Sequence, residues 1–166
     1  QGRSDAELLP ASVHITMTTS PQFHVRKVAV LGAGVMGAQI AAHLVNADVP
    51  AILFELPAKE GEPNATVLGA IDGLKKLEPS PLGSAVKAVH IEAANYDQHL
   101  ERLAECDLII EAVAERIDIK KALYEKVAPH IAPHAVFASN TSGLSIGALA
   151  QVLPDALRRR FCGVHF

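Results

Sequence analysis

Tryptophan is missing from this chain, and aromatic residues make up only 4% of its 166 positions. A platform that stacks single-stranded nucleic-acid bases needs more aromatic surface than that. Basic clusters are scarce as well. Arg158-Arg159-Arg160 is the longest run and the formal net charge is −3, so the footprint of a nucleic-acid partner is lacking. No stretch reaches the roughly 18 apolar residues of a membrane span. The N-terminal segment lacks the basic-then-apolar order of a secretory signal. Cysteine is limited to Cys106 and Cys162, far apart in apolar runs, and a reduced, cytoplasmic chain is the simplest expectation. The eight histidines show no metal-ligand spacing. Cys162 and His165 would point to opposite faces of a strand, so no metal is expected.

What is present is apolar residue, 49% of the chain, which suits one globular domain with buried parallel strands. Val28-Ala29-Val30-Leu31 runs into Gly32-x-Gly34-x-x-Gly37. A stretch from Val35 to Asn46 follows, with Ile40, Ala41, Leu44 and Val45 at helical spacing. Strand, tight turn and helix in that order are what a dinucleotide site needs. Gly32 permits the turn, Gly34 lets a pyrophosphate near the backbone, and Gly37 lets helix and strand pack closely. The helix start, at Val35 and Met36, offers unpaired N–H groups and partial positive charge. A second strand, Ala51-Ile52-Leu53-Phe54, ends in Glu55. A carboxylate about 20 residues on takes both ribose hydroxyls and would repel a 2′-phosphate, so NAD is favoured over NADP. The competing reading is a glycine-rich turn in an ordinary α/β domain, with Glu55 a surface acid.

Residues 1–24 read as a disordered arm, with Pro10, Pro21 and the cluster Thr16 to Ser20; Met17 reads as a native start. Residues 25–166 read as the folded domain. After a loop, Asn64 is expected to cap a helix over 65–77. A short strand lies within 88–96, and a short helix spans 97–104. Cys106 to Val113 form a fourth strand. Asp118 is expected to cap the next helix. Ala135 to Ala138 form a fifth strand, Ile146 to Val152 a short helix, and Arg160 to Phe166 a sixth strand. The alternation predicts a Rossmann-type doubly wound α/β fold: a mostly parallel sheet with helices on both faces. Ligands then sit outside the C-terminal strand ends, where Glu55, Glu115, Asn140, Ser142 and His165 fall.

Each of these has two readings. His165 is either a general base for a hydroxyl proton or a strand histidine bonded to the backbone. Ser142 is either a helix cap or a donor to substrate or nicotinamide. Asn140 is either a turn residue or a cofactor contact. Lys120 is either a solvated helix side chain or a ligand contact. A serine-hydrolase triad fits poorly, since no G-x-S-x-G elbow is present.

From about Arg26 to Phe166 the chain resembles the NAD-binding domain of the 3-hydroxyacyl-CoA dehydrogenase family. The markers are Val30-Leu31-Gly32-Ala33-Gly34-Val35-Met36-Gly37, Asp107-Leu108-Ile109-Ile110-Glu111-Ala112-Val113-Ala114-Glu115, Ala138-Ser139-Asn140-Thr141-Ser142 and Gly163-Val164-His165-Phe166. Phe54-Glu55 and the Pro-rich insert resemble the bacterial branch fused to an enoyl-CoA hydratase-like region. The resemblance implies that His165 is the catalytic acid/base, that Ser142 contacts the substrate oxygen, and that Glu115 and Lys120 bind cofactor. The cofactor-binding set expected is Gly32, Gly34, Val35, Met36, Gly37, Glu55, Ala114, Glu115, Lys120 and Asn140.

The family motif continues beyond His165. The carboxylate that orients this histidine, and the helical C-terminal domain that closes over the acyl-CoA, are expected further on. The function implied is oxidation of a 3-hydroxyacyl-CoA to the 3-ketoacyl-CoA in fatty-acid β-oxidation. The 166 residues alone are expected to bind NAD weakly, to turn over little, and to self-associate through an uncovered apolar face. Two rivals remain: a non-catalytic NAD-sensing module, and a dehydrogenase of the same fold acting on a free hydroxy acid.

Overall fold

The structure is a computed structural model and describes residues 22–166. Its strands are β1 Val28–Leu31, β2 Ala51–Glu55, β3 Ile91–Asn95, β4 Leu108–Glu111, β5 Val136–Ser139 and β6 Phe161–Gly163. Its α-helices are α1 Val35–Asn46, α2 Ala65–Leu74, α3 Ile117–Val127, α4 Ile146–Ala150 and α5 Asp155–Arg158. The strands form one sheet in the order β3-β2-β1-β4-β5-β6, with every pairing parallel. The sheet is thus wholly parallel where a mostly parallel one was expected.

Period-two alternation sorts β1 between two cores. Val28 and Val30 pack with Ile40, Ala41 and Val45 of α1 and with Val67, Ile71 and Leu74 of α2. Ala29 and Leu31 face Tyr124 and Val127 of α3, together with Phe137 and Leu149. All four β1 residues are fully buried. A strand covered on both faces reads as a continuous apolar run for this reason. Each fully buried Val, Leu or Ile contributes about 1.5–3 kcal/mol. The chain leaves β1 in one direction along the sheet, through β2 to β3, and then resumes at β4 in the other. The reversal opens a crevice above the C-terminal ends of β1 and β4.

Several boundaries differ from the sequence expectation. Asn64 makes no side-chain cap; its Oδ1 accepts from the buried Asn95 amide at 2.8 Å. The α2 helix stops at Leu74, short of the expected Leu77. The expected helix over 97–104 is a 3-10 turn, Leu100–Glu105. The fourth strand starts after Asp107, whose carboxylate accepts from the Arg26 amide and meets His134 instead. Asp118 is not the cap of α3: Arg116 holds that place, and Asp118 pairs with the Arg116 guanidinium at 2.6 Å. The sixth strand ends at Gly163, so His165 lies beyond it. Most of the expected N-terminal arm, residues 1–21, lies outside the described residues.

Candidate active site

The glycine turn shows three different needs. Gly32 has φ +104°, and a Cβ there would stand 2.9 Å from the Ala112 carbonyl oxygen. A Cβ on Gly37 would stand 1.7 Å from the Gly32 carbonyl oxygen, inside hard contact. Both glycines are demanded by the fold itself. Gly34 is different: a Cβ there would meet no protein atom within 4 Å. Its lack of a side chain leaves space over the start of α1 and serves nothing inside the protein. That start carries no acidic residue in its first turn, so its free amides and partial positive charge stand open to an anion. Val35 and Met36, 76% and 43% exposed, supply two of these amides.

Beside this turn, Glu55 Oε2 accepts from the Ala33 amide and Oε1 from the Leu56 amide, each at 2.8 Å. Both oxygens keep a lone pair for a diol. A crevice of about 550 Å³ runs from here, lined by Gly32, Gly34, Glu55, Val113, Ala114 and Ile119. That volume suits a small-molecule cofactor. The crevice is largely apolar on the α3 side, which suits a flat base.

The second half of the site lies at the ends of β5 and β6. Ser142 Oγ and His165 Nε2 stand 3.0 Å apart, both exposed. Ser142 is therefore not the helix cap it could have been. Ser145 caps α4, its Oγ accepting from the Ala148 amide at 3.2 Å. His165 is not bonded back to its own strand; Val164 alone continues the ladder, its amide donating to the Ser139 carbonyl at 3.0 Å. Phe166 then lies edge-on to His43 of α1, with ring centroids 6.5 Å apart. Asn140 donates its backbone amide to the Glu111 carbonyl at 2.7 Å, and its side chain is half-buried.

Glu115 links the two halves. Its Oε1 accepts from the Thr141 hydroxyl, from the Ser142 amide at 3.1 Å and from the Gly143 amide at 3.0 Å. The Thr141 hydroxyl and Gly143 amide hold its carboxyl down at about 2. Its Oε2 lies 3.5 Å from the Lys120 ammonium.

Of the two readings of Lys120, the solvated one fails: its side chain has no exposed surface. Its Nζ donates to both oxygens of Glu111, at 2.7 and 2.9 Å. Glu111, equally buried, also accepts from the Tyr124 hydroxyl at 2.7 Å, the Ser139 hydroxyl at 2.6 Å and the Val113 amide at 2.7 Å. Sequence reasoning gave Glu111, Tyr124 and Ser139 no role. The one available signal was an acid inside the apolar run Leu108-Ile109-Ile110-Glu111-Ala112-Val113.

Among the described residues, no three His, Cys, Asp or Glu side chains come together as a metal site. No helix is long and apolar enough to cross a membrane among those residues. Both cysteines are free, Cys106 buried and Cys162 exposed.

Fold, glycine turn, the carboxylate that ends β2 and the crevice beside them together define a dinucleotide-binding domain of the Rossmann class. The chain belongs to the family of the 3-hydroxyacyl-CoA dehydrogenase NAD-binding domain, which matches residues 27–166. It is similar to a protein of Rickettsia felis named as a fatty acid oxidation complex trifunctional enzyme. Identity there is 39% over 146 residues, covering 87% of this chain and 20% of that one. A protein of Bacillus subtilis named as a 3-hydroxyacyl-CoA dehydrogenase is 36% identical over 158 residues, covering 86% and 20%. The crystal structure of 3-hydroxybutyryl-CoA dehydrogenase from Escherichia coli K12 superposes with a TM-score of 0.68 at 30% identity, over 86% of this chain and 30% of that one. The chain thus spans about a fifth of the length of the two curated relatives.

Proposed function

We propose that this domain, residues 25–166, binds NAD and supplies the proton-transfer pair of an L-3-hydroxyacyl-CoA dehydrogenase acting in fatty-acid β-oxidation. The observation that carries the reading is the placement of two recognition groups on one sheet. Glu55 ends β2 and Ser142 follows β5, three strand spacings apart, roughly 14 Å. A ligand that reaches both is extended, with a polar group at each end. Glu55 takes the adenosine ribose hydroxyls and repels a 2′-phosphate. Gly34, Val35 and Met36 receive the pyrophosphate, while Gly32 and Gly37 hold their turn. Ala114, Glu115, Lys120 and Asn140 border the nicotinamide half, Lys120 from below through Glu115. Bound NAD supplies the hydride acceptor.

His165 Nε2 takes the proton from the C3 hydroxyl of the substrate. Ser142 Oγ, which occupies that nitrogen here, turns to hold the substrate oxygen. The acyl-CoA itself needs the helical C-terminal domain that the family resemblance implies. The greater length of the relatives supports such a further domain. Two free thiols fit a reducing cytoplasm.

In the full-length enzyme, His165→Ala is expected to lower kcat about 10²–10⁴-fold with NAD affinity nearly unchanged. An unaltered kcat overturns the role of His165. Calorimetric titration of the 166-residue chain with NAD and NADP tests the cofactor half alone; equal affinity for the two overturns the role of Glu55.

A further inference from the structure

A buried carboxylate with four donors is an uncommon thing to place among apolar side chains. Glu111 sits at the end of β4 with no exposed surface, bonded to Tyr124, whose ring in turn packs edge-on against Phe137. Its partners come from three separate places: Lys120 and Tyr124 on α3, Ser139 on β5, and the Val113 amide after β4. A well-packed apolar set of similar volume often serves stability as well as a buried ion pair does, or better. Packing therefore gives little reason for the pair to be here. Its geometry gives another.

The Lys120 ammonium stands between two carboxylates. One is Glu111, at 2.7 Å, and the other is Glu115, at 3.5 Å. Glu115 is held at both of its oxygens. Oε2 faces Lys120, and Oε1 receives the Thr141 hydroxyl and the amides of Ser142 and Gly143. That loop in turn carries Ser142 Oγ to 3.0 Å from His165 Nε2. An unbroken series of charged and hydrogen-bonded contacts thus connects the centre of the sheet to the imidazole.

We propose that Glu111 is a positioning residue: it fixes Lys120, and through Lys120 and Glu115 it sets the loop that aims Ser142 at His165. The inference rests on the reading of Ser142 and His165 as the reacting pair. Without the Glu111 charge, the buried Lys120 ammonium loses its anchor and no longer stands at Glu115 Oε2. Glu115 is then free to shift, its hold on the amides of Ser142 and Gly143 loosens, and the Ser142 hydroxyl leaves the imidazole. Lys120 is thereby given a role that needs no exposed surface.

The test reads the His165 ring nitrogens by nitrogen-15 NMR, with His165→Ala to assign the signal. Ser142→Ala defines the position the signal takes when the serine hydroxyl is absent. Glu111→Gln is expected to move the signal toward that position. Glu111→Gln combined with Lys120→Met removes the buried pair as a unit. It is expected to restore thermal stability relative to Glu111→Gln alone, yet leave the histidine signal displaced, because Glu115 has still lost Lys120. A merely structural Glu111 predicts that the histidine signal recovers together with stability, and that result overturns the proposal.

Glu115→Gln, at an exposed position, gives a readout even if both Glu111 variants fail to fold. An unmoved histidine signal there breaks the series and overturns the proposal. A displaced signal supports it. Failure of the dehydrogenase reading shows elsewhere, as an unaltered kcat in His165→Ala.

Discussion

At the scale of single residues, the three glycines of the turn divide into two that the fold requires and one that it does not. Gly37→Ala would place a methyl 1.7 Å from the Gly32 carbonyl oxygen. Backbone cannot yield as a flexible side chain can, so the strand–helix contact must open. Gly34→Ala meets no protein atom, and φ there is −68°, an ordinary value for alanine. Gly37→Ala is therefore expected to lose folded protein or much of its thermal stability. Gly34→Ala is expected to melt within a few degrees of the parent and to bind NAD at least about tenfold more weakly, a loss of about 1.4 kcal/mol. Melting curves with and without NAD check both. A Gly34→Ala chain that binds normally would show that the pyrophosphate lies elsewhere. Sequence spacing marks all three glycines, but only the tertiary surroundings distinguish Gly32 and Gly37, which face backbone, from Gly34, which faces open space.

At the scale of elements, Glu115 joins the loop after β4 to the loop between β5 and α4. The Thr141 hydroxyl, then the Gly143 amide, with help from the Lys120 charge, lower its carboxyl from an ordinary 4.5 to about 2. A lowered carboxyl contributes stability that is fully present above the unfolded value and is lost as pH falls through the folded one. The window here is pH 4.5 down to about 2. The side chain is 43% exposed, so solvent screening makes the contribution modest. The stability gap between the parent and Glu115→Gln, measured by urea unfolding, is expected to close across that window. A gap that persists at pH 2 would mean that the stabilisation by Glu115 does not depend on its charge. From local spacing Ser142 is either a helix cap or a donor to a ligand, and only the family resemblance makes it a substrate contact. Its neighbour Ser145 takes the cap, because α4 begins at Ile146 and capping belongs to the residue just outside the first turn.

At the scale of the whole molecule, apolar side chains remain uncovered beside the site. Val35 is 76% exposed, Met36 43% and Leu77 44%. Val35 and Leu77 line a groove of about 240 Å³ with Gly34, Ala38, Gln39 and Gly73 between α1 and α2. Clustered apolar exposure of this kind favours association. Sedimentation of the 166-residue chain is expected to show reversible self-association, reduced by Val35→Ser together with Leu77→Ser. A chain that stays monomeric at high concentration would show that this face is stable in water.

Local pattern alone determined the strand–turn–helix unit, the acid that ends β2, and the fold class. Each of these depends on spacings within one or two neighbouring elements, which hydrophobic period and glycine position encode directly. Tertiary structure alone decided that Ser142 meets His165, 23 residues on, and that Lys120 turns inward. It also decided that Glu111 gathers donors 9, 13 and 28 residues away. Those meetings follow from strand order, which brings β4, β5 and α3 together around one point. A buried lysine and a solvated one have the same local spacing on a helix. What distinguishes them is a carboxylate on another element, close enough to make burial of the charge tolerable.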